Sequence, residues 1–235
     1  MKPKVSGDFS SLEDKIKVKF KDKKILEEAF THRSYLNENT GWEGNHNERL
    51  EFLGDAVLEL AVTEYLYMNF PDKAEGDLTS YRAALVNANM LSEIAQDLGL
   101  NDYLLLSRGE AKDLGRARQY ILANTIEALI GAVYLDRGYN FAEKFIKENV
   151  LNRIEEVISK KLFRDPKSLF QERAQEVHGV TPTYEVIKEW GPDHNKHFIV
   201  GVYLGKNLIA EGEGPSKQEA QINAAEEGLR VRGWN

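Results

Sequence analysis

The chain has 235 residues, 42% hydrophobic and 29% charged, with a formal net charge of −7 and no cysteine, so it suits one large domain or an ordinary one plus a small one. No apolar stretch approaches the ~20 residues of a membrane span and residues 1–8 lack the apolar core of a signal peptide, which excludes a membrane partner and sets a cytoplasmic address as the expectation. Without cysteine there are no disulfides, thiolate nucleophiles or ordinary structural zinc sites; the acidic balance disfavours a polyanion ligand, unless a carboxylate cluster bridges it through cations.

Taken in chain order, apolar residues recur at three- and four-residue spacing from the start through about residue 162, which predicts helices. Leu12, Ile16, Val18 and Phe20 begin the pattern, and Ile25, Leu26, Ala29 and Phe30 form a short amphipathic helix ahead of Thr31-His32-Arg33-Ser34-Tyr35. Residues 41–45 read as a loop. Residues 48–70 then form a long helix, apolar on several sides and so buried in mid-domain, which Pro71 stops. Further helices are expected over 78–98, around 110–114, and over 118–135 and 141–159. Residues 160–166, charged and ending in Pro166, read as a linker.

The period then changes. Residues 168–177 keep helical spacing, but 183–188, 197–204 and 208–213 alternate or run β-branched and aromatic, as strands do, with 191–195 as a turn. Ser216 is placed as an N-cap with Glu219 at the capping-box position, opening a helix through Leu229. The expected fold class is an all-α domain over 1–162 followed by a small α+β domain over 165–235, of order α-β-β-β-α.

On a helix that advances about 100° per residue, Glu48, Glu51 and Asp55 share one narrow face. Their neighbours Leu50, Phe52, Leu53, Ala56, Val57 and Leu58 are apolar, so like charges emerge from a largely buried helix and repel unless a cation offsets them. A solvated acidic edge is the plain alternative. The run 120–135 shifts the balance, because it is almost wholly apolar except for Asn124, Thr125 and Glu127, and Asn124 and Glu127 again share a face. Two such helices could meet in an all-oxygen site suited to hard Mg2+ or Mn2+.

These residues carry a resemblance. The run Asn47-Glu48-Arg49-Leu50-Glu51-Phe52-Leu53-Gly54-Asp55-Ala56-Val57-Leu58 resembles the signature of the ribonuclease III family; 31–35 and 121–136 match its other recurring segments in order, and the α-β-β-β-α tail is similar to its double-stranded-RNA-binding domain. The resemblance implies an endoribonuclease that hydrolyses double-stranded RNA by a metal-ion mechanism. Its products would carry 5′-phosphate and 3′-hydroxyl ends with two-nucleotide 3′ overhangs, in processing of ribosomal precursor RNA and structured mRNA. It implies Glu51, Asp55, Asn124 and Glu127 as metal ligands, with Asp55 and Glu127 also catalytic. Mg2+ is the implied ion, with Mn2+ as a substitute.

The same resemblance assigns Phe52 to a homodimer interface, although an aromatic on this helix is first a core candidate, and places Glu48 and Glu75 in the cleft. A dimer with two symmetric sites could cut the two antiparallel strands of one duplex. His32 reads as a packing or hydrogen-bonding residue rather than a base. Position 124 departs from the family, which usually carries an aspartate there. Asn keeps one carbonyl oxygen that can ligate Mg2+ but loses a unit of charge. A tolerated variant, an introduced substitution and a lineage that has lost cleavage all remain open, the last giving a non-cleaving double-stranded-RNA-binding protein. Retention of Glu51, Asp55 and Glu127 favours retained or attenuated activity.

Duplex RNA is read by shape, through 2′-hydroxyls and phosphates. The family pattern implies contacts from Gln171 and Glu172 on the first helix of the small domain, His194 in the turn, and Lys217, Gln218 and Gln221 on the last helix. That helix commonly opens with adjacent lysines; here Lys217 alone is basic, which implies weaker and less salt-dependent binding. Residues 212–217 lack the Gly-Lys-Ser/Thr core of a phosphate loop, so no nucleotide cofactor is expected.

Overall fold

The computed structural model describes residues 9–112, 115–163, 165–192 and 196–234. The chain divides into two compact units at residues 163/164.

The first unit is helical: α1 (Ser10–Ile16), α2 (Lys23–Ala29), α3 (Arg33–Glu38), α4 (Glu48–Asn69), α5 (Glu75–Val86), α6 (Ala88–Asp97), α7 (Arg116–Arg137), α8 (Tyr139–Asn149) and α9 (Ile154–Ser159). Short 3-10 turns cover Leu100–Tyr103, Glu110–Lys112 and Leu151–Arg153. Helices α4 and α7 make the most extensive pairing. Their seam is set by two glycines: a Cβ on Gly54 would lie 1.8 Å from the Glu127 carbonyl oxygen, and one on Gly131 would lie 2.2 Å from the Leu50 carbonyl oxygen. Backbone rests on backbone there. Leu58, Val62, Leu66, Ile126, Leu129, Ile130 and Val133 fill the core on either side and are fully or almost fully buried. Each such side chain contributes about 1.5–3 kcal/mol of transfer free energy.

Three expectations change. The helix expected over 78–98 is two helices, because Asn87 has extended backbone; its side chain accepts from Met90 N–H to cap α6 and donates to the Ala83 and Ala84 carbonyls to close α5. The helix expected over 141–159 is α8, a 3-10 turn and α9. Pro166 does not end a linker but occupies the first turn of α10 (Pro166–His178), where its missing N–H costs nothing; Asp165 caps that helix by accepting from Ser168 N–H. Of the segment expected around 110–114, residues 110–112 form the 3-10 turn and 113–114 lie outside the described residues.

The second unit packs α10 and α11 (Lys217–Arg232) on one face of an antiparallel sheet of β1 (Thr183–Trp190), β2 (His197–Leu204) and β3 (Asn207–Gly214), in the order β1-β2-β3. Strand period explains the sidedness: Phe198, Val200, Val202 and Leu204 alternate inward with Phe170, Ala174, Ala224, Ala225 and Leu229. Gly212 lets α11 approach β3, since a Cβ there would meet Ala224 N at 2.1 Å. Ser216 caps α11 by accepting from Glu219 N–H. The helix, three antiparallel strands and helix are the expected α-β-β-β-α order. Among the described residues, no helix is long and apolar enough to cross a membrane.

Candidate active site

The α4 N-terminus is fixed by the segment before it. Asn47 is buried, donates its side-chain amide to the Ala29 carbonyl at 3.3 Å and its backbone N–H to the Thr31 carbonyl at 2.9 Å. His32 caps α3: its Nδ1 accepts from Ser34 N–H and bonds the Ser34 hydroxyl at 2.8 Å, and burial lowers the pKa of its ring. This is a structural role.

From that start Glu48, Glu51, Asp55 and Glu59 project along one side of α4, and the glycine seam brings Asn124 and Glu127 of α7 against them. The Asn124 carboxamide lies beside the Glu51 carboxylate and favours its charged form. Burial, together with the charges of Glu48 and Asp55, nonetheless raises the Glu51 pKa. Glu127 is shifted further, up to about 8, first by burial and then by Asp55, Glu51 and Glu59. A half-buried carboxyl facing three others carries surplus negative potential, which a hard cation would relieve.

Glu51, Asp55 and Glu127 therefore couple electrostatically across the α4–α7 seam, with Asn124 beside Glu51, but they do not form a closed cage. Among the described residues no group of three or more His, Cys, Asp or Glu side chains converges tightly enough to hold an ion. The donor chemistry, three carboxylates and a carboxamide oxygen, fits Mg2+ or Mn2+ and not a soft metal.

Comparison with known proteins agrees with this arrangement. A family model described as Ribonuclease-III-like matches residues 22–154, and one described as Double-stranded RNA binding motif matches residues 166–232. The chain belongs to the ribonuclease III family. Its relatives include Ribonuclease 3 of Borreliella burgdorferi, 42% identical over 95% of this chain and 91% of that protein, and Ribonuclease 3 of Clostridium tetani, 41% identical over 94% of each. The crystallised nuclease domain of ribonuclease III from Campylobacter jejuni, a structure concerned with flexibility in a region involved in dimer formation, is 42% identical; it matches 60% of this chain and 98% of its own with a TM-score of 0.54.

Within this ribonuclease III chain the remaining expected residues scatter. Glu48 lies beside the cluster, 3.4 Å from Arg33 and 3.8 Å from His46 Nδ1. Glu75 opens α5, accepts from the Thr79 hydroxyl at 3.2 Å, and lines a pocket of about 440 Å³ with Thr63, Tyr67 and Arg82; no interaction ties it to Glu127. Phe52 is not a core residue: it is 82% exposed. Gln171 and Glu172 are exposed along α10, and Gln218 is exposed on α11. Lys217 sits with its ammonium 5.7 Å from the Phe198 ring centroid, and Gln221 accepts from Lys167 at 2.7 Å. His194 lies outside the described residues.

Two participants were missed. Glu59 continues the four-residue spacing of Glu51 and Asp55, so its position on the stripe was readable. Its partner was not: Arg82 of α5 pairs with Glu59 at 3.0 Å and donates to the Thr63 hydroxyl at 2.9 Å, a contact between residues 23 apart that no periodicity announces. Lys167 likewise joins α10 to α11 only through the fold.

Proposed function

We propose that this chain is a metal-dependent endoribonuclease that hydrolyses both strands of duplex RNA as a homodimer. Its products carry 5′-phosphate and 3′-hydroxyl ends with two-nucleotide 3′ overhangs, and its cytoplasmic substrates are ribosomal precursor RNA and structured mRNA. The single observation that carries the reading is the meeting of Glu51, Asp55, Asn124 and Glu127 across the α4–α7 seam.

Glu51, Asp55, Glu127 and the Asn124 carbonyl oxygen would hold Mg2+ or Mn2+. When bound, the ion supplies Lewis-acid polarisation of the phosphate and activation of water. The chain's own residues set the stage. Glu127 holds a proton near neutral pH without the ion and must release it to ligate. Asn124 favours the charged form of Glu51 through its amide, and must turn its oxygen inward to serve as a ligand. Arg82 keeps the Glu59 charge partly neutralised beside Glu127. In the small domain, Gln171, Glu172, His194, Lys217, Gln218 and Gln221 contact the duplex by analogy with the family.

Incubating the protein with a long RNA duplex and Mg2+, and in parallel Mn2+, should give short duplexes with overhanging ends, with single-stranded RNA left intact. Tight binding with no product under either ion would favour the second reading, a non-cleaving binding protein, for which Asn124 is the specific support.

A further inference from the structure

Helix α11 opens on three polar residues that fall on one side of it: Lys217, Gln218 and, one turn on, Gln221. Only the first is basic, so the polarity that each amide presents matters. A carboxamide has an oxygen that accepts and an NH2 group that donates, and turning it over exchanges them. Duplex RNA offers phosphate oxygens, which only accept, and 2′-hydroxyls. An amide that meets the duplex with its NH2 group is attracted; one that meets it with its oxygen sets lone pair against lone pair.

At Gln221 the fold makes that choice. Lys167, in the first turn of α10, donates its ammonium to Gln221 Oε1 at 2.7 Å. An ammonium carries three donors and no acceptor, so it takes the amide oxygen and leaves the NH2 group turned away from it. The same ammonium stands 5.0 Å from the centre of the Tyr184 ring on β1, a cation–π distance. Burial, and then the charge of Asp165, push the Tyr184 hydroxyl up to about 12, so that ring is neutral at physiological pH. Asp165 does not compete for Lys167, because its carboxylate caps α10 by accepting the Ser168 N–H at 2.9 Å and the Ser168 hydroxyl at 2.7 Å. Lys167, Tyr184 and Gln221 are all half-buried. A phosphate that took this ammonium would first have to displace the amide.

We propose that Lys167 is a positioning residue for RNA binding: it holds the Gln221 oxygen and thereby presents the Gln221 NH2 group to the duplex as a donor. Its charge is used inside the small domain, on an amide and a ring, and not on a phosphate. The inference rests on the reading that the chain binds duplex RNA and that Gln221 touches it.

The test measures affinity of the full chain for an RNA duplex of about 30 base pairs in EDTA, across a potassium chloride series. Lys167→Met keeps most of the apolar stem and removes the donor. It should lower affinity about three- to tenfold at every salt concentration, with the slope of log affinity against log salt unchanged. Lys217→Gln, a lost phosphate contact, should lower that slope by about 1. Lys167→Arg should restore wild-type affinity, since a guanidinium also only donates. In a Gln221→Ala background, Lys167→Met should cost no further affinity. A slope that falls by about 1 in Lys167→Met would make Lys167 a phosphate contact and overturn the proposal. Unchanged affinity in Lys167→Met, or an equal loss with and without the Gln221 side chain, overturns it as well, whatever the change in Tm. If the wild-type chain fails to bind the duplex at all, the functional reading itself falls, and this role with it.

Discussion

A carboxamide at position 124 can donate where an aspartate could only accept, so Asn124 favours the charged form of Glu51 without adding to the charge around Glu127. Asn124→Asp should therefore act in opposite directions on fold and site. Without divalent ions it sets a like charge beside Glu51 and should destabilise by about 1–2 kcal/mol in urea melts. At limiting Mg2+ it should bind the ion about tenfold more tightly or better and raise cleavage, because one further unit charge lies among the ligands. Equal ion titrations for the two proteins would remove Asn124 as the limiting residue. Glu127 makes the site pH-dependent. Its folded pKa of about 8 lies above its ordinary 4.5, so the folded state binds more protons between those values and stability falls as pH rises through that window. In EDTA, Tm should drop from pH 5 to pH 9, and Glu127→Gln should flatten that drop; parallel curves for both proteins would contradict it. The spacing that puts Glu51 and Asp55 on one face of α4, and Asn124 and Glu127 on one face of α7, was legible within each run. Glu59 was equally legible, and Arg82 was not, since its role depends on how α5 lies against α4.

At the scale of elements, the seam between α4 and α7 decides whether those ligands meet. Gly54→Ala would gain up to about 1 kcal/mol of helix propensity in an isolated helix. Here its methyl group would meet the backbone of Glu127, and overpacking of this kind costs about 1–3 kcal/mol. The net effect should be a lower urea midpoint, together with a cleavage loss larger than the stability loss explains, because the two ligand-bearing helices are pushed apart. A neutral or stabilised variant would show that the helices can separate freely. Long apolar helices were readable from periodicity, including α4 almost to the residue. Their interruptions were not. Asn87 ends one helix and starts another through its own side chain, and the break after α8 contains no glycine or proline to announce it. Pro166 was visible but ambiguous, since a proline marks a helix start as readily as a linker.

At the scale of the molecule, α4 exposes Phe52, Ala56, Leu60, Thr63 and Tyr67 along one stripe directly beside its carboxylates, with Phe52, Leu60 and Tyr67 82%, 57% and 70% exposed. A second copy covering that stripe would place two sites near one interface, as the cutting of two strands requires. Phe52→Ala should weaken self-association by about 2 kcal/mol, roughly thirtyfold, in sedimentation equilibrium, with little change in Tm at high protein concentration. A wild-type chain that sediments as a monomer at cleavage-competent concentrations would reject the dimer. The family resemblance named Phe52, but the sequence pattern could not say which way it faced, because a helix apolar on several sides hides its one uncovered stripe.

The glycine contact also has a consequence in time. Where two helices touch through their backbones there is no side-chain layer to loosen, so amide protons near residues 50–58 and 126–133 should exchange with solvent only through global opening. Under the proposed function, an ion or RNA strand arriving at the site would find its scaffold already still, with side chains to order and no helix to move.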